Sequence, residues 1–396
     1  MKLIKYLFFI LVFASAGYAQ NVKITDFNVP VSVAKRMLVG GSYNWAQTGD
    51  SVTTNQFNVN GLYNTFYSSL PFSWNVGFTA ALDGKYQDST RASYNLNANI
   101  NKYFAKTTGA FYYLGLTSSY LRKSEFGTEN RPEINIEGGL GYGRYVNATA
   151  MAQAIRVDQD LKKYGVTNSY MPKQTMQNIA EIIDKKSEYE TKYKSVYEYK
   201  IIGDILKEVE NSGVAGDFIN SSLSYFRIRE VIFGINQFQN DRYYGGDVKA
   251  GVGYTVLTRN KNLTGVNPTL NLTGQYGYPI DINQQIGATV TAKTPFDSSF
   301  AKLVEGTAQV GYSYNLTNRI SFIATYSVGL QQQVDTDSQT GVSIVRDFST
   351  GNNLVTAGFN FYIENYIILN LNAQYSKLHS QDPRTSFNVG STFTIF

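Results

Sequence analysis

Few residues of this chain have the type and spacing that catalysis requires. The one histidine, His379, lies in the loop sequence KLHSQDPR. A Ser-His hydrolase needs its histidine hydrogen-bonded to a serine nucleophile and to an orienting group. The neighbouring Ser380 is badly placed for that role, and no Gly-x-Ser-x-Gly turn occurs. The sequence therefore favours a solvated loop histidine over a catalytic one.

Acidic residues offer two further possibilities. Asp335 and Asp337 share a loop and could contribute to a calcium site, which takes several oxygen ligands. Two carboxylates in one loop are also ordinary solvated residues. An acidic protease at the rim of a barrel would need paired carboxylates, and the sequence does not show whether Asp297, Asp335 and Asp382 converge.

The sequence GGLGYG at Gly138 superficially matches a glycine-rich phosphate loop. A dinucleotide fingerprint requires a helix to start at the last glycine. Here the strand pattern continues through Arg144, Tyr145 and Val146, which argues against phosphate binding. The sequence thus predicts no cofactor, no metal site and no catalytic residue, and we expect that the protein is not an enzyme.

The composition points away from a soluble enzyme. Tyr and Phe supply 31 and 24 of the 396 residues, Gly supplies 34, and charged residues make up only 16%. The absence of cysteine excludes disulfides, thiolate metal sites and cysteine nucleophiles. The formal charge is only +5, without a basic cluster, so nucleic acid is not an expected partner.

The first 19 residues have the pattern of a secretory signal peptide. Lys2 and Lys5 precede the apolar run LFFILVFA, and Gly17-Tyr18-Ala19 forms a small-x-small cleavage site. The sequence predicts cleavage before Gln20, export from the cytoplasm, and an N-terminal segment over residues 20–35 in the periplasm.

Most of the remaining chain alternates apolar and polar residues with a period of two, which is typical of strands. One apolar row is formed by Ile367, Leu369, Leu371, Ala373 and Tyr375, and the opposite row by Asn370, Asn372, Gln374 and Ser376. No later apolar run approaches the roughly 20 residues of a transmembrane helix. Insertion into a membrane would therefore require a β-barrel, the other structure that satisfies its backbone polar groups in lipid.

The alternation predicts fourteen strands, an even number as such barrels require. They cover residues 36–47, 52–67, 72–83, 90–103, 110–122, 131–146, 244–258, 268–278, 282–293, 303–314, 319–334, 342–362, 366–377 and 385–396. A soluble β-sandwich also alternates, but its outer face usually carries Lys and Glu. Here that face carries Asn, Gln, Ser and Thr, and Tyr residues stand at the strand ends, where membrane barrels place aromatic girdles.

On these features, residues 36–146 and 244–396 resemble the Gram-negative outer-membrane β-barrel class. Members usually end in a strand that closes on an aromatic residue, as FNVGSTFTIF does with Phe396, although Phe396 is out of phase with Phe393 and Ile395. The resemblance implies an all-β transmembrane antiparallel β-barrel in the lipid bilayer of the outer membrane.

Residues 147–243 follow a different pattern and are predicted to form an inserted α-helical bundle between strands 6 and 7. The segment holds 26 charged residues, 13 acidic and 13 basic. One apolar stripe runs along the first predicted helix and consists of Ala150, Ala154, Val157, Leu161 and Tyr164. Gly165 follows it and is a plausible end of the helix. A second helix is predicted from Pro172, a third from Tyr189 to Val209, and a fourth from Ile219 to Ile235.

The number of strands before this insertion predicts the side of the membrane on which it lies. Because it occupies the sixth connection, and because odd connections are the longer ones elsewhere, it is predicted to be periplasmic or folded into the lumen. The flanking glycines, such as Gly141 and Gly251, either leave room for the insertion or pair with aromatic residues across strands. The second interpretation is the favoured one.

Three functions are consistent with the sequence. The leading hypothesis is that the barrel anchors the periplasmic helices, which dock an envelope protein complex or the cell wall peptidoglycan. The candidate docking residues are Arg156, Lys162, Lys163, Lys185, Lys186 and Tyr193. The alternative is a weakly selective diffusion channel for small polar solutes. Its candidate lumen-lining residues are Asn95, Asn97, Asn271, Gln275, Gln309 and Asn372. An outer-membrane hydrolase is the minor alternative.

Overall fold

A computed structural model describes most of the chain. The described residues are 22–85, 90–105, 109–122, 131–234, 240–259, 267–297, 300, 303–332, 334–336, 343–345, 352–363, 367–377 and 382–393. The predicted signal peptide, His379 and Phe396 lie outside them.

Fourteen strands form one antiparallel sheet in which each strand pairs with the strands before and after it in the sheet. Their bounds are β1 Ser32–Thr48, β2 Ser51–Ser68, β3 Phe72–Lys85, β4 Arg91–Tyr103, β5 Ala110–Arg122, β6 Glu133–Asn147, β7 Tyr243–Leu257, β8 Thr269–Pro279, β9 Gln284–Pro295, β10 Val304–Thr317, β11 Ile320–Gln332, β14 Asn352–Ile363, β15 Ile367–Lys377 and β16 Arg384–Phe393. The predicted number of strands is confirmed, and six of them precede the insertion.

The structure differs from the predicted strands in two places. A separate hairpin, β12 Val334–Thr336 paired with β13 Ser343–Val345, lies between β11 and β14, where the sequence analysis extended the flanking strands. In addition, β1 begins at Ser32 rather than at residue 36. Within the described ranges, no ladder joins β1 to β16, so the sheet has two edges.

The two faces of the sheet have opposite character. Because paired residues in an antiparallel ladder point to the same side, the register defines a polar face and an apolar face. Large side chains of the apolar face remain exposed on strands from one end of the sheet to the other: Val39, Leu114, Ile136, Val252, Leu272, Val290, Val310 and Val355.

The insertion folds as a helical unit of five helices within residues 148–242. They are α1 Thr149–Lys163, α2 Lys173–Asp184, α3 Lys186–Tyr193, α4 Tyr197–Asn211 and α5 Ser222–Phe233. Their apolar stripes meet in a core in which Met151, Leu161, Ile179, Ile202 and Ile228 are fully or almost fully buried. This is the only large apolar core in the described part of the chain. None of the helices described combines the length and the apolar composition needed to cross a bilayer.

Local sequence signals explain two of the helix ends. Gly165 and Gly213 follow α1 and α4 with φ of +70° and +74°, a backbone region that favours glycine. The predicted third helix is instead two helices. The chain breaks at Lys194, where φ is +49°, before a short 3-10 turn leads into α4. Gly203 does not interrupt α4.

The segment before β1 belongs to the helical unit. Residues Ile24–Asp26 form a 3-10 turn, and Val22, Ile24 and Phe27 are buried in the helical core. Lys173 Nζ lies 2.7 Å from Asp26 Oδ1, and Gln177 donates a 2.8 Å hydrogen bond to the Asp26 carbonyl oxygen. The N-terminal segment is therefore ordered against α2.

The helical unit lies at one end of the sheet, here termed the helical end. There it contacts the start of β1, the end of β6, the start of β7, and the turn between β8 and β9. The short β2–β3 and β8–β9 turns share this end with the helical unit, whereas the long β5–β6, β7–β8 and β11–β14 connections lie at the opposite end, here termed the loop end. The sequence prediction that the insertion shares a side with the even connections is confirmed.

Candidate functional site

Hydrogen-bonding side chains are concentrated on the polar face of the sheet. The register places Asn97, Thr117, Asn135 and Thr255 in one row across β4 to β7. Gln275, Thr289, Gln309 and Ser327 form another row across β8 to β11. Period-two alternation on the strands predicts such rows, because a residue and its ladder partner point to the same side.

All six candidate lumen-lining residues lie on this face. They are Asn95, Asn97, Asn271, Gln275, Gln309 and Asn372. Asn271 and Gln275 are half-buried, whereas Asn95, Asn97, Gln309 and Asn372 are exposed. Asn372 pairs with Asn388 of the edge strand β16.

Charged residues on the polar face are held by neighbouring side chains. Glu137 accepts hydrogen bonds from the Tyr113 hydroxyl at 2.7 Å and from Asn271 at 2.9 Å. Lys293 Nζ lies 2.8 Å from Glu305 Oε2. Two of these three contacts join neighbouring strands and one joins β6 to β8, so together they fix two carboxylates and an ammonium group on the polar face.

Aromatic rings cover the polar face near the helical end, over strand positions that have no side chain. Phe111 is only 1% exposed and lies opposite Gly141, where an added Cβ would be 2.3 Å from its ring. The Tyr113 hydroxyl lies over Gly251, 2.1 Å from the place of a Cβ. Pairing of glycine with aromatic residues across strands, the favoured interpretation of the sequence, is confirmed at these positions.

Two arginines hold the helical unit to the sheet. Arg242 is fully buried and donates to the backbone oxygens of Asn240 at 2.7 Å and of Ile282 and Asn283 at 3.1 Å. Arg156 of α1 donates to the side-chain oxygen of Asn283. Burial lowers the pKa of Arg242 to about 10, while Asp281 nearby raises it, so the guanidinium remains charged at neutral pH.

A second contact joins the helical unit to the edge of the sheet. The Val33 amide of β1 donates to the Glu188 carboxylate of α3. The Thr191 hydroxyl lies 2.9 Å from the carbonyl oxygens of both Lys35 and Ser187. Helix α3 therefore occupies backbone groups of β1 that an adjacent strand would otherwise pair with.

A cleft of about 220 Å³ separates α2 from the helical end of the sheet. Its lining includes Asp184 at the end of α2, Ser69 and Leu70 of the β2–β3 turn, and Arg144 of β6. Arg144 donates to the Leu70 carbonyl oxygen at 3.0 Å. Burial raises the pKa of Asp184 to about 6, with contributions from Glu188 and Glu181 that also raise it and from Lys185 that lowers it.

The structure does not bring the candidate docking residues to one open surface. Arg156 lies inside the joint with Asn283, and Lys186 packs 4.4 Å from the ring centre of Phe233. Lys162 donates to the Asn168 carbonyl oxygen, Lys163 is exposed, Lys185 is half-buried, and Tyr193 packs on Tyr189. Arg156 and Lys186 are thus engaged in contacts inside the protein rather than presented on an open surface.

A different surface of the helical unit is apolar and open. Phe218, Leu223 and Phe226, in α5 and the turn before it, are 64%, 41% and 59% exposed. We term these three residues the α5 patch. Sequence periodicity did not identify it, since the same pattern predicts burial of Leu223 and Phe226.

The sequence candidates for catalysis do not form a site in the described residues. His379 and Asp337 lie outside these residues. Asp297 accepts a 2.7 Å hydrogen bond from Asn267, and Asp382 is exposed. No three acidic or histidine side chains cluster as metal ligands in the part of the chain that the structure describes.

Sequence reasoning missed Glu137, Lys293 and Glu305 because it assigned charged residues to the connections. An available signal was their phase. Glu137 lies two residues after Asn135, and Lys293 lies two residues after Thr291, so both continue a polar row. The contact of Glu137 with Tyr113 required knowledge of the register.

No protein-family model matches the chain, and no curated protein matches it either. Solved structures of low similarity include a Salmonella typhi OmpF complex with daunomycin (8% identity, TM-score 0.31, covering 93% of this chain and 98% of that one). Others are the translocator domain of the autotransporter NalP from Neisseria meningitidis (9%, 0.22, 92% and 87%) and the Pseudomonas putida toluene transporter TodX (8%, 0.24, 92% and 80%). At such TM-scores these similarities carry no argument, so the assignment of the fold rests on the sheet itself.

Proposed function

We propose that the protein is an outer-membrane β-barrel channel for small polar solutes, closed at its helical end by the helical unit. The observation that carries the proposal is the separation of the two faces. Asn, Gln, Ser and Thr rows cross the sheet on one side, and exposed aliphatic residues cover the other. This distribution suits a water-filled lumen inside a wall that faces lipid.

Exposure of the apolar face supports a lipid environment. Leu114, Val252 and Val310 are 58%, 45% and 51% exposed, although they stand in the middle of paired strands. A water-soluble monomer rarely exposes a contiguous apolar surface of this extent. We propose that lipid covers this face after export, with pairing of β1 and β16 closing the wall.

Burial of the polar face near the helical end supports closure of the proposed lumen by the helical unit. There Phe111, Asp247 and Gln285 on the polar face are all less than 10% exposed, whereas the rows nearer the loop end remain open. The helical unit contacts elements from β1 to the β8–β9 turn at this end. In the proposed orientation it lies in the periplasm and restricts passage through the lumen.

The test is single-channel conductance in a planar bilayer. In the deletion variant, residues 148–242 are replaced by Asn-Gly, because Asn147 and Tyr243 already pair and a two-residue turn can join them. We expect little conductance from the full chain and steady, weakly ion-selective conductance from the variant. Retained heat modifiability on gels is the control for folding. A folded variant that does not conduct would refute the channel.

A second candidate function, docking of an envelope partner, is favoured by the α5 patch. Its three exposed apolar residues lie on the helical unit, where lipid would not cover them in the proposed orientation. Replacing Phe218 and Phe226 with serine should remove any partner that co-purifies with the full chain. An unchanged set of partners would exclude this role without affecting the channel proposal.

A further inference from the structure

A cavity on the polar face has the composition of a solute-binding site. It measures about 590 Å³ and lies nearer the loop end, between β6 and β14. This volume falls within the roughly 300–1,000 Å³ of typical small-molecule sites. Its polar lining consists of Glu137, Asn271, Thr273, Thr291, Lys293, Glu305, Thr307 and Asn352.

Glu137 is a preorganised acceptor at one side of this cavity. Tyr113 and Asn271 each donate to a different oxygen of its carboxylate, at 2.7 and 2.9 Å. Each carboxylate oxygen has capacity for a further hydrogen bond. The ladder partner of Glu137 on β7 is Gly253, so no side chain on that strand covers the carboxylate.

The opposite side offers neutral hydrogen-bonding groups. Thr291 and Thr307 face each other across β9 and β10, with hydroxyl oxygens 2.7 Å apart. The next position in that row is Gly329, which leaves the hydroxyl pair uncovered. Lys293 and Glu305 neutralise each other at 2.8 Å, so they present a dipole rather than a net charge.

These groups together match hydroxyl groups better than ions. Carboxylate oxygens accept from hydroxyls, an amide donates and accepts, and threonine hydroxyls do both. An anionic solute would meet Glu137, which has no cation within salt-bridge distance among the described residues. A neutral solute with many hydroxyls satisfies the hydrogen-bonding capacity of all these groups and brings no like charge close to Glu137.

We propose that this cavity binds a small, neutral, polyhydroxylated solute of the oligosaccharide class. The inference rests on the proposed channel, since it assumes that the polar face lines a lumen which the solute enters. The carboxylate of Glu137 provides the strongest hydrogen bond, and the Thr291–Thr307 pair holds adjacent hydroxyl groups of the solute.

Calorimetry on the full chain in detergent tests the proposal with maltose and maltotriose as probes and spermidine as the cationic comparison. We expect saturable binding of a sugar that changes little with salt. Glu137→Gln should weaken it about tenfold, the cost of a lost charge-assisted hydrogen bond. The isosteric Thr291→Val/Thr307→Val double variant should also weaken binding, through a different group of contacts.

Glu133→Gln is the matched control, because Glu133 is on the same strand and face as Glu137 but does not line the cavity. It should bind sugars as the unaltered chain does. No sugar binding, equal losses in Glu133→Gln and Glu137→Gln, or binding of spermidine alone would each overturn the site. Binding in detergent requires no conduction. A chain that binds sugar but whose deletion variant does not conduct would therefore refute only the channel, and the reverse result would refute only the site.

Discussion

The positions of Phe111 and Gly141 show how single residues shape the polar face of this sheet. Phe111 lies on the polar face yet is almost completely buried, because its ring fills the space above Gly141 on the neighbouring strand. Its edge is also near Tyr103, with ring centres 4.9 Å apart. Residue size, as well as polarity, therefore determines which side chains cover the polar face at this position.

Gly141→Ala should destabilise the folded protein. The new methyl carbon would lie 2.3 Å from Phe111, and the buried ring has little room to move. Overpacking of this kind typically costs about 1–3 kcal/mol. Urea unfolding in detergent should show the loss. The matched control is Gly390→Ala, where no atom lies within 4 Å of the new Cβ.

A double-mutant cycle identifies the cause. In a Phe111→Ala background, Gly141→Ala should cost much less, because the clashing ring is gone. An equal cost in both backgrounds would mean that the backbone, rather than Phe111, excludes a side chain at position 141.

At the scale of elements, α3 shields the beginning of an edge strand. Among the described residues, β1 pairs only with β2, and its other edge presents free backbone groups. Glu188 and Thr191 occupy those of Val33 and Lys35. The Arg36–Glu190 pair, 4.0 Å apart and largely exposed, adds little.

Replacing Glu188 with Leu and Thr191 with Val removes both side-chain hydrogen-bonding groups and should release this edge. A hydrogen bond to a charged acceptor contributes about 1.5–3 kcal/mol, so the Val33 amide should exchange with deuterium at least about tenfold faster. Hydrogen-exchange mass spectrometry on the peptide that spans Val33 is the measurement. Glu190→Leu serves as the matched control and should leave exchange at Val33 unchanged. Equally slow exchange in the double variant would show that another element protects the edge.

The strands were predictable from sequence because alternation is local, and the fourteen predicted segments match the large sheet within a few residues at most ends. The exceptions have physical causes. The break at Lys194 depends on a left-handed backbone at a residue that is not glycine, so the sequence carries no signal for it. The β12–β13 hairpin continues the apolar-polar alternation of β11, so the pattern does not separate the two. Placing Asn95 and Asn271 on one face needed only the period of two. Finding the Glu137–Tyr113 contact needed the register between β5 and β6, which single-sequence patterns do not define.

At the scale of the whole molecule, we expect the contact between the helical unit and the sheet at the Asp184 cleft to depend on pH. Burial raises the pKa of this carboxyl from 3.8 to about 6. The folded state thus binds the proton more tightly than the unfolded state. The contribution of protonated Asp184 to the free energy of unfolding is complete below the unfolded pKa near 4. It is lost as pH rises through the folded pKa of about 6, because a charged carboxylate must then remain buried.

Asp184→Asn should remove this dependence. At pH 7 the variant should be more stable than the unaltered chain by at most about 2 to 3 kcal/mol. Its urea midpoint for unfolding of the helical unit should stay flat between pH 4 and 7, whereas that of the unaltered chain declines. The exposed Asp217 provides the control variant, Asp217→Asn. Parallel pH curves for Asp184→Asn and the unaltered chain would contradict the assignment.

The hydrogen bonds between α3 and β1 also bear on the order in which the strands can pair. The partner proposed for the free edge of β1 is β16, which lies more than 330 residues later in the sequence. Of all the strand pairs, this one would therefore form last during synthesis. An unpaired edge is a template for pairing with other chains. The helical unit is made midway through synthesis and, with Val22, Ile24 and Phe27 already in its core, it holds the start of β1 in place. We expect this contact to limit aggregation through β1 until β16 can pair with the rest of its edge.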